Sequence, residues 1–191
     1  MMRTRILLTL LTLAVAGSAF SKDLTFSIRA TPASAKIGDR VTFTFLYTNT
    51  SKHEIGIVPE YYAYEALDVH LKKSDTGRAG EMIPYLTPYI DPNLARRNFR
   101  LLNSGKTYSS QLIAKLSTTL PRSAQPQNRG SGLYLVFRDS AIKLPGFGKY
   151  EATSRYLGMK SYKDQLATPD KSRLWVGRVF ASPIVIEFRN R

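Results

Sequence analysis

The side chains that most often perform catalysis are scarce in this sequence. The chain has no cysteine, which excludes a thiol nucleophile, and its histidines are His53 and His70 alone. His70 alternates with Val69 and Leu71, a spacing that predicts a side chain pointing outward from a strand. No Gly-x-Ser-x-Gly nucleophile turn occurs. A zinc-type metal site usually needs more nitrogen or sulfur ligands than the two histidines provide.

Carboxylates are the remaining groups with catalytic chemistry. Glu60 with Glu65, and Asp164 with Asp170, are the candidate pairs. A glycosidase mechanism would need two such groups in one cleft, whereas ordinary surface carboxylates are solvated and do not converge. We therefore predict no catalytic residues, no metal ion and no cofactor, and expect that the protein is not an enzyme.

Two segments combine the residue types that are typical of binding surfaces. Residues 60–65 contain three tyrosines, and residues 84–100 combine aromatic rings with arginines. Large rings bury area at low entropic cost, and guanidinium groups pair with carboxylates or phosphates. The same composition also fits rings that plug one end of a folded domain beside solvated arginines. The candidate partner-binding residues are Tyr85, Tyr89, Arg96, Arg97, Phe99 and Arg100.

The charge of the chain is large and unevenly distributed. The formal net charge is +14, from 28 basic and 14 acidic residues. No acidic residue lies between Asp91 and Asp139, a span that contains eight basic residues. Such asymmetry favours an anionic partner, either an acidic protein or an anionic envelope component such as a lipid or polysaccharide. Nucleic acid is the least favoured partner because no DNA- or RNA-reading motif is present.

The first residues have the layout of a Sec-type signal peptide. Arg3 and Arg5 precede a mainly apolar run over residues 6–16, which is too short to span a bilayer, and small residues follow. Cleavage after Ala19 and cleavage after Ser21 both satisfy the small-residue rule. We expect residues 1–21 to be removed and residues 22–191 to be periplasmic or secreted from a bacterium, with no transmembrane segment.

Alternation with a period of two indicates the fold class. Val41, Phe43, Phe45 and Tyr47 alternate with threonines and Leu46, and similar alternation recurs along the chain with turn residues between. Asn49-Thr50-Ser51 is interpreted as a polar turn after this strand, although it is formally a glycosylation acceptor. The pattern predicts one all-β domain over residues 22–191, an antiparallel sandwich of about eight strands with long loop insertions over 81–100, 121–132 and 158–173.

Both ends of this domain resemble a known family. Gly148-Lys149-Tyr150 resembles a tyrosine corner, in which the phenol hydroxyl bonds back to the chain that enters the strand. With Gly38-Asp39 before the strand at 41–48 and the later segments 175–177 and 182–186, the pattern is similar to immunoglobulin-like modules of bacterial exported proteins, including those related to the Bacillus intracellular proteinase inhibitor. The resemblance implies an immunoglobulin-like β-sandwich. It does not reach residues 73–131, and it carries no functional residue with it.

Two functions are compatible with these features. The first is an exported, non-enzymatic binding module that engages an anionic partner through the basic and aromatic loops between residues 81 and 131. The second is an inhibitor or immunity protein that blocks an envelope or secreted hydrolase by inserting one of its long loops.

Overall fold

The computed structural model describes residues 23–59, 67–85, 93–122, 124 and 130–190. The predicted leader lies outside these ranges, as do Tyr89, Glu60, Glu65 and the three tyrosines of the 60–65 segment.

The first sheet has six strands that are all antiparallel to their neighbours. Its order is β1-β3-β8-β9-β10-β6. The strands are β1 (Leu24–Thr31), β3 (Arg40–Asn49), β6 (Glu81–Pro84), β8 (Thr107–Ser117), β9 (Leu133–Val136) and β10 (Ser140–Leu144).

The second sheet is built around one long strand, β11 (Gly148–Gly158). β5 (Leu67–Lys73) pairs with one side of it, while β12 (Gly177–Phe180) and β13 (Ile184–Arg189) lie end to end along the other. β2 (Ser34–Lys36) then pairs with β13, and this pair is parallel. One parallel pair therefore departs from the antiparallel sheet that the sequence predicts.

The two sheets bury their facing side chains in one core. Phe26 of β1 lies 6.2 Å from Tyr156 of β11, and Tyr47 of β3 meets the same ring edge-on at 5.1 Å, both distances being measured between ring centroids. In β3 every second residue from Val41 to Asn49 is buried, whereas the residues between them are partly exposed. The period-two alternation read from the sequence therefore marks the buried face of the sheet.

Short elements make up the rest of the described chain. A two-stranded sheet pairs β4 (Ile55–Ile57) with β7 (Arg100–Leu102). The helical elements are α1 (Leu94–Asn98), a 3₁₀ helix (Lys160–Gln165) and α2 (Asp170–Arg173). No helix in the described ranges is long and apolar enough to cross a bilayer.

The all-β prediction is confirmed, but the number of strands is larger than predicted. Thirteen strands lie within the described residues, against about eight expected. Among the additional strands, β2 and β7 have three residues each, which is too short to display an alternation. The segment over 81–100 was expected to be a loop because of its prolines, yet β6, α1 and the start of β7 all lie in it.

Candidate functional site

One end of the molecule gathers α1, the 3₁₀ helix, α2 and the β4–β7 sheet. The backbone N–H of Ala95 in α1 donates to the side-chain oxygen of Gln165 at 3.0 Å. The backbone N–H of Trp175 donates to the carbonyl of Gly56 at 2.8 Å, which holds the segment after α2 against β4. We call this region the helical end.

The helical end is fixed to the first sheet by Asn49, the last residue of β3. Asn49 is fully buried, and its amide donates to the carbonyls of His53 and Leu102 at 2.8 and 2.7 Å. Its side-chain oxygen accepts from the backbone N–H and the hydroxyl of Ser51. The amide is therefore a structural group at a polar turn. Its burial disfavours the glycosylation interpretation.

Two buried tyrosines hold the chain where it leaves β4. The hydroxyl of Tyr47 donates to the carbonyl of Pro59 at 3.2 Å, and the backbone N–H of Val58 donates to the hydroxyl of Tyr156 at 3.0 Å. Burial raises the pKa of Tyr156, and the Val58 bond opposes that shift only in part. These bonds fix the point from which the tyrosine-rich segment 60–65 departs.

The candidate arginines at the helical end differ in exposure and in hydrogen bonding. Arg96 and Arg97 are exposed on α1. Arg100 is partly buried, and its guanidinium group donates to the carbonyls of Arg97 and Phe99 at 3.2 and 2.9 Å. Arg100 therefore supports the end of α1, whereas Arg96 makes no ion pair within the described chain and is available to a partner.

The two candidate aromatic residues that the structure describes, Tyr85 and Phe99, are less exposed than a binding surface would require. Tyr85 is 4% exposed and packs with Ala124 and Ala141 in a small cluster outside the main core. Phe99 is partly buried and packs over Gly56, where an added Cβ would lie 2.2 Å from its ring. Both described rings therefore contribute to packing, while the structure does not describe Tyr89.

The structure adds basic residues that the sequence did not connect with α1. The 3₁₀ helix packs against α1 and carries Lys160, which is exposed, and Lys163, which is partly exposed. Neither lysine has an ion-pair partner among the residues described. In contrast, Arg173 of α2 is paired with Glu54 at 3.0 Å. The helical end thus presents Arg96, Arg97, Lys160 and Lys163 together.

Of the candidate catalytic carboxylates, the structure describes Asp164 and Asp170. Asp164 is exposed in the 3₁₀ helix and Asp170 is partly buried in α2. The described ranges contain no cluster of three or more His, Cys, Asp or Glu residues that could hold a metal ion. His53 and His70 are both exposed, as predicted for His70 from its place in β5.

Comparisons with known proteins assign no family to the chain. No protein-family model matches it, and no curated protein matches it. Among solved structures, it is similar to a β-glucosidase chain from Erythrobacter marinus at 10% identity, with a TM-score of 0.39. The match covers 87% of this chain and 15% of the glucosidase chain.

Proposed function

We propose that this protein is a non-enzymatic binding module whose helical end engages an anionic partner. The observation that supports the proposal most strongly is the Ala95–Gln165 hydrogen bond, because it brings two basic segments from distant parts of the chain to one surface. Arg96, Lys160 and Lys163 are then exposed or partly exposed cations without an ion-pair partner in the described ranges. An acidic protein or an anionic envelope component is the partner that such a surface suits.

The described residues also refine which candidates would contact the partner. Arg96 and Arg97 remain in the proposed surface, and Lys160 and Lys163 join them. Arg100 acts through α1, because its guanidinium group is bound to two backbone carbonyls. We therefore assign Arg100 a structural role in holding the end of α1 and not a direct contact with the partner.

The fold that we propose for this module is an immunoglobulin-like sandwich. In that fold one sheet has the order A-B-E-D and the other contains C, F and G. β1, β3, β8 and β6 would take the first four positions, with the β9–β10 hairpin inserted between the last two. In the second sheet, β5 would be strand C, β11 strand F, and the β12–β13 pair strand G. The Tyr150 hydroxyl donates to the Gly146 carbonyl, as a tyrosine corner requires. An experimental structure in which β13 leaves β11 would contradict this assignment.

We further propose that the protein is exported, because residues 1–21 have the layout of a signal peptide. N-terminal sequencing of protein recovered from bacterial periplasm would test this. A first residue of Phe20 or Lys22 is expected, whereas an intact Met1 would contradict it.

The test of binding is capture of a partner from envelope extract at low salt, followed by elution with rising salt. Screening weakens exposed charge contacts, so the captured partner should leave as the ionic strength rises. Retention at high salt would argue against a charge-driven interface. A panel of envelope hydrolases tests the second candidate function, since stoichiometric inhibition would identify an inhibitor or immunity protein.

A further inference from the structure

A second exposed basic surface lies at the opposite end of β3 from the helical end. β3 begins at Arg40 and ends at Asn49, so about 30 Å of strand separates the two surfaces. The second surface surrounds the turn between β2 and β3. We call it the turn patch and define it as Lys36, Ile37, Arg40, Ile113, Lys115 and Arg189.

The turn patch contains a cross-strand pair of like charges. Arg40 of β3 stands directly opposite Lys115 of β8. Both side chains are exposed, and neither has an ion-pair partner within the described chain. Like charges placed directly opposite in a sheet are unfavourable.

Other antiparallel pairs in the protein show the complementary arrangement. They place a lysine opposite a glutamate in three cases: Lys143 with Glu81, Lys72 with Glu151, and Lys149 with Glu187. The Arg40–Lys115 pair therefore differs from these three antiparallel pairs, which place opposite charges together.

Two basic residues of the second sheet lie beside the same turn. Lys36 of β2 aligns with Arg189 of β13 in the parallel ladder. Two carboxylates are also present, so four cations stand against two carboxylates and the net charge of the region remains positive. Asp39 accepts the backbone N–H of Lys36 at 2.9 Å, and Glu187 pairs with Arg189.

Two exposed isoleucines lie among these cations. Ile37 is 39% exposed in the turn that joins β2 to β3, where the backbone N–H of Asp39 donates to the carbonyl of Lys36 at 3.0 Å. Gly38 follows Ile37 with a φ of +95°, a conformation that glycine adopts readily. Ile113 is 53% exposed, two residues before Lys115 on the same face of β8. The turn patch thus combines apolar side chains with a net positive charge.

We propose that the turn patch binds the surface of an anionic phospholipid bilayer. Cations are attracted to the headgroups, while exposed apolar side chains enter the boundary between the headgroups and the acyl chains. A soluble anion or polyanion would pair with the cations but would not bury Ile37 and Ile113. The occupant that matches both features is therefore the bilayer surface, and this inference is independent of the partner proposed for the helical end.

Vesicle binding by the full chain tests the proposal. Phosphatidylglycerol vesicles should bind the protein, and phosphatidylcholine vesicles should bind it much less. Ile37→Ser should lower the partition coefficient by about tenfold and Lys115→Glu by about tenfold or more, because the second change reverses a charge. The matched controls are Val185→Ser, an exposed apolar residue outside the turn patch, and Arg29→Glu, an exposed residue of β1 outside both basic surfaces. Both should bind like the wild type.

Lys115→Glu separates binding from folding. The new glutamate would face Arg40 as an opposite charge, so Tm should stay the same or rise while vesicle binding falls. A site-specific readout excludes a contribution from residues 1–21, which all variants share. Tryptophan emission of Ile37→Trp, after subtraction of the wild-type signal, should shift to the blue with phosphatidylglycerol vesicles.

Three results would overturn the proposal. The first is the absence of that emission shift. The second is vesicle binding that survives both Ile37→Ser and Lys115→Glu. The third is binding to a soluble polyanion that equals binding to vesicles and does not change in Ile37→Ser, because the isoleucine would then have no role.

Discussion

The backbone N–H of Ala95 donates to the side-chain oxygen of Gln165 at 3.0 Å, across 70 positions of the sequence. This bond joins α1 to the 3₁₀ helix and places two basic segments on one surface. Ala95 itself is fully buried. The arrangement of the proposed binding surface therefore depends on a neutral amide that carries none of its charge.

Gln165→Leu should separate α1 from the 3₁₀ helix, because it removes the acceptor from a partly buried N–H. The expected loss of stability is about 1–2 kcal/mol. Binding of the anionic partner should weaken although no charge has changed. Gln165→Glu is the control for stability alone, since it keeps an oxygen acceptor at the same position but adds a negative charge to the surface. Urea unfolding and the capture assay measure the two effects, and an unchanged Gln165→Leu protein would show that the bond is dispensable.

Asn49→Ala should destabilise the whole domain. The substitution leaves the carbonyls of His53 and Leu102 without their donor, and the Ser51 N–H without its acceptor. We expect a loss of about 2–4 kcal/mol, because several buried polar groups lose partners at once. Thr50→Ala at the exposed neighbouring position is the control and should stay within about 0.5 kcal/mol of the wild type. Thermal unfolding of the two variants measures both losses, and equal stability of the two variants would contradict the structural role of Asn49.

Trp175 packs onto a pair of glycines that stand opposite each other in β11 and β12. A Cβ at Gly158 would lie 2.4 Å from the Trp175 carbonyl oxygen and 2.6 Å from its ring. A Cβ at Gly177 would meet only the ring, at 2.9 Å. Because backbone yields less than a ring, Gly158→Ala should cost more than Gly177→Ala, with losses of about 1–3 kcal/mol. Equal losses measured by urea unfolding would contradict this packing.

Alkaline conditions should destabilise the protein through its buried tyrosines. Burial raises the pKa of Tyr156 above its ordinary value of 10.0, and it raises the pKa of Tyr150 to about 12. Above pH 10 the unfolded chain releases these protons while the folded chain retains them, so the free energy of unfolding falls as the pH rises. Below pH 10 the contribution is fully present.

Tyr156→Phe isolates this titration from other alkaline effects. The variant should be less stable at pH 7, by about 1–3 kcal/mol, because the buried N–H of Val58 loses its acceptor. Its free energy of unfolding should then fall less steeply than that of the wild type above pH 10. Urea unfolding between pH 8 and 12 gives both slopes, and parallel slopes would contradict the assignment.

The long strands follow from the sequence because their burial alternates along a single segment. β3 shows this most clearly, since its inward residues are all apolar except Asn49. The Tyr150 hydroxyl bond was expected from the resemblance of Gly148-Lys149-Tyr150 to a tyrosine corner, and its partner, Gly146, lies four residues away in the same turn. Local signals of this kind need no knowledge of the rest of the chain.

The helical end does not follow from the sequence in the same way. Its assembly depends on Gln165 reaching a backbone N–H in α1, and neither segment has an apolar period that would reveal the contact. The burial of Tyr85 was equally hidden, because Ala124 and Ala141 approach it from elsewhere in the chain. Proximity in sequence groups Arg96 with Arg97, whereas Lys160 and Lys163 approach α1 only through the fold.

The central claim is that the helical end captures an anionic partner, and charge reversal tests it most directly. Arg96→Glu and Lys160→Glu change exposed residues of this surface, whereas Arg29→Glu changes an exposed residue of β1 in the first sheet. Each variant lowers the net charge by two, so the total charge is matched. In low-salt capture from envelope extract, the first two variants should each weaken binding by about tenfold, and Arg29→Glu should bind like the wild type. Equal weakening in all three variants, or in none, would contradict the account.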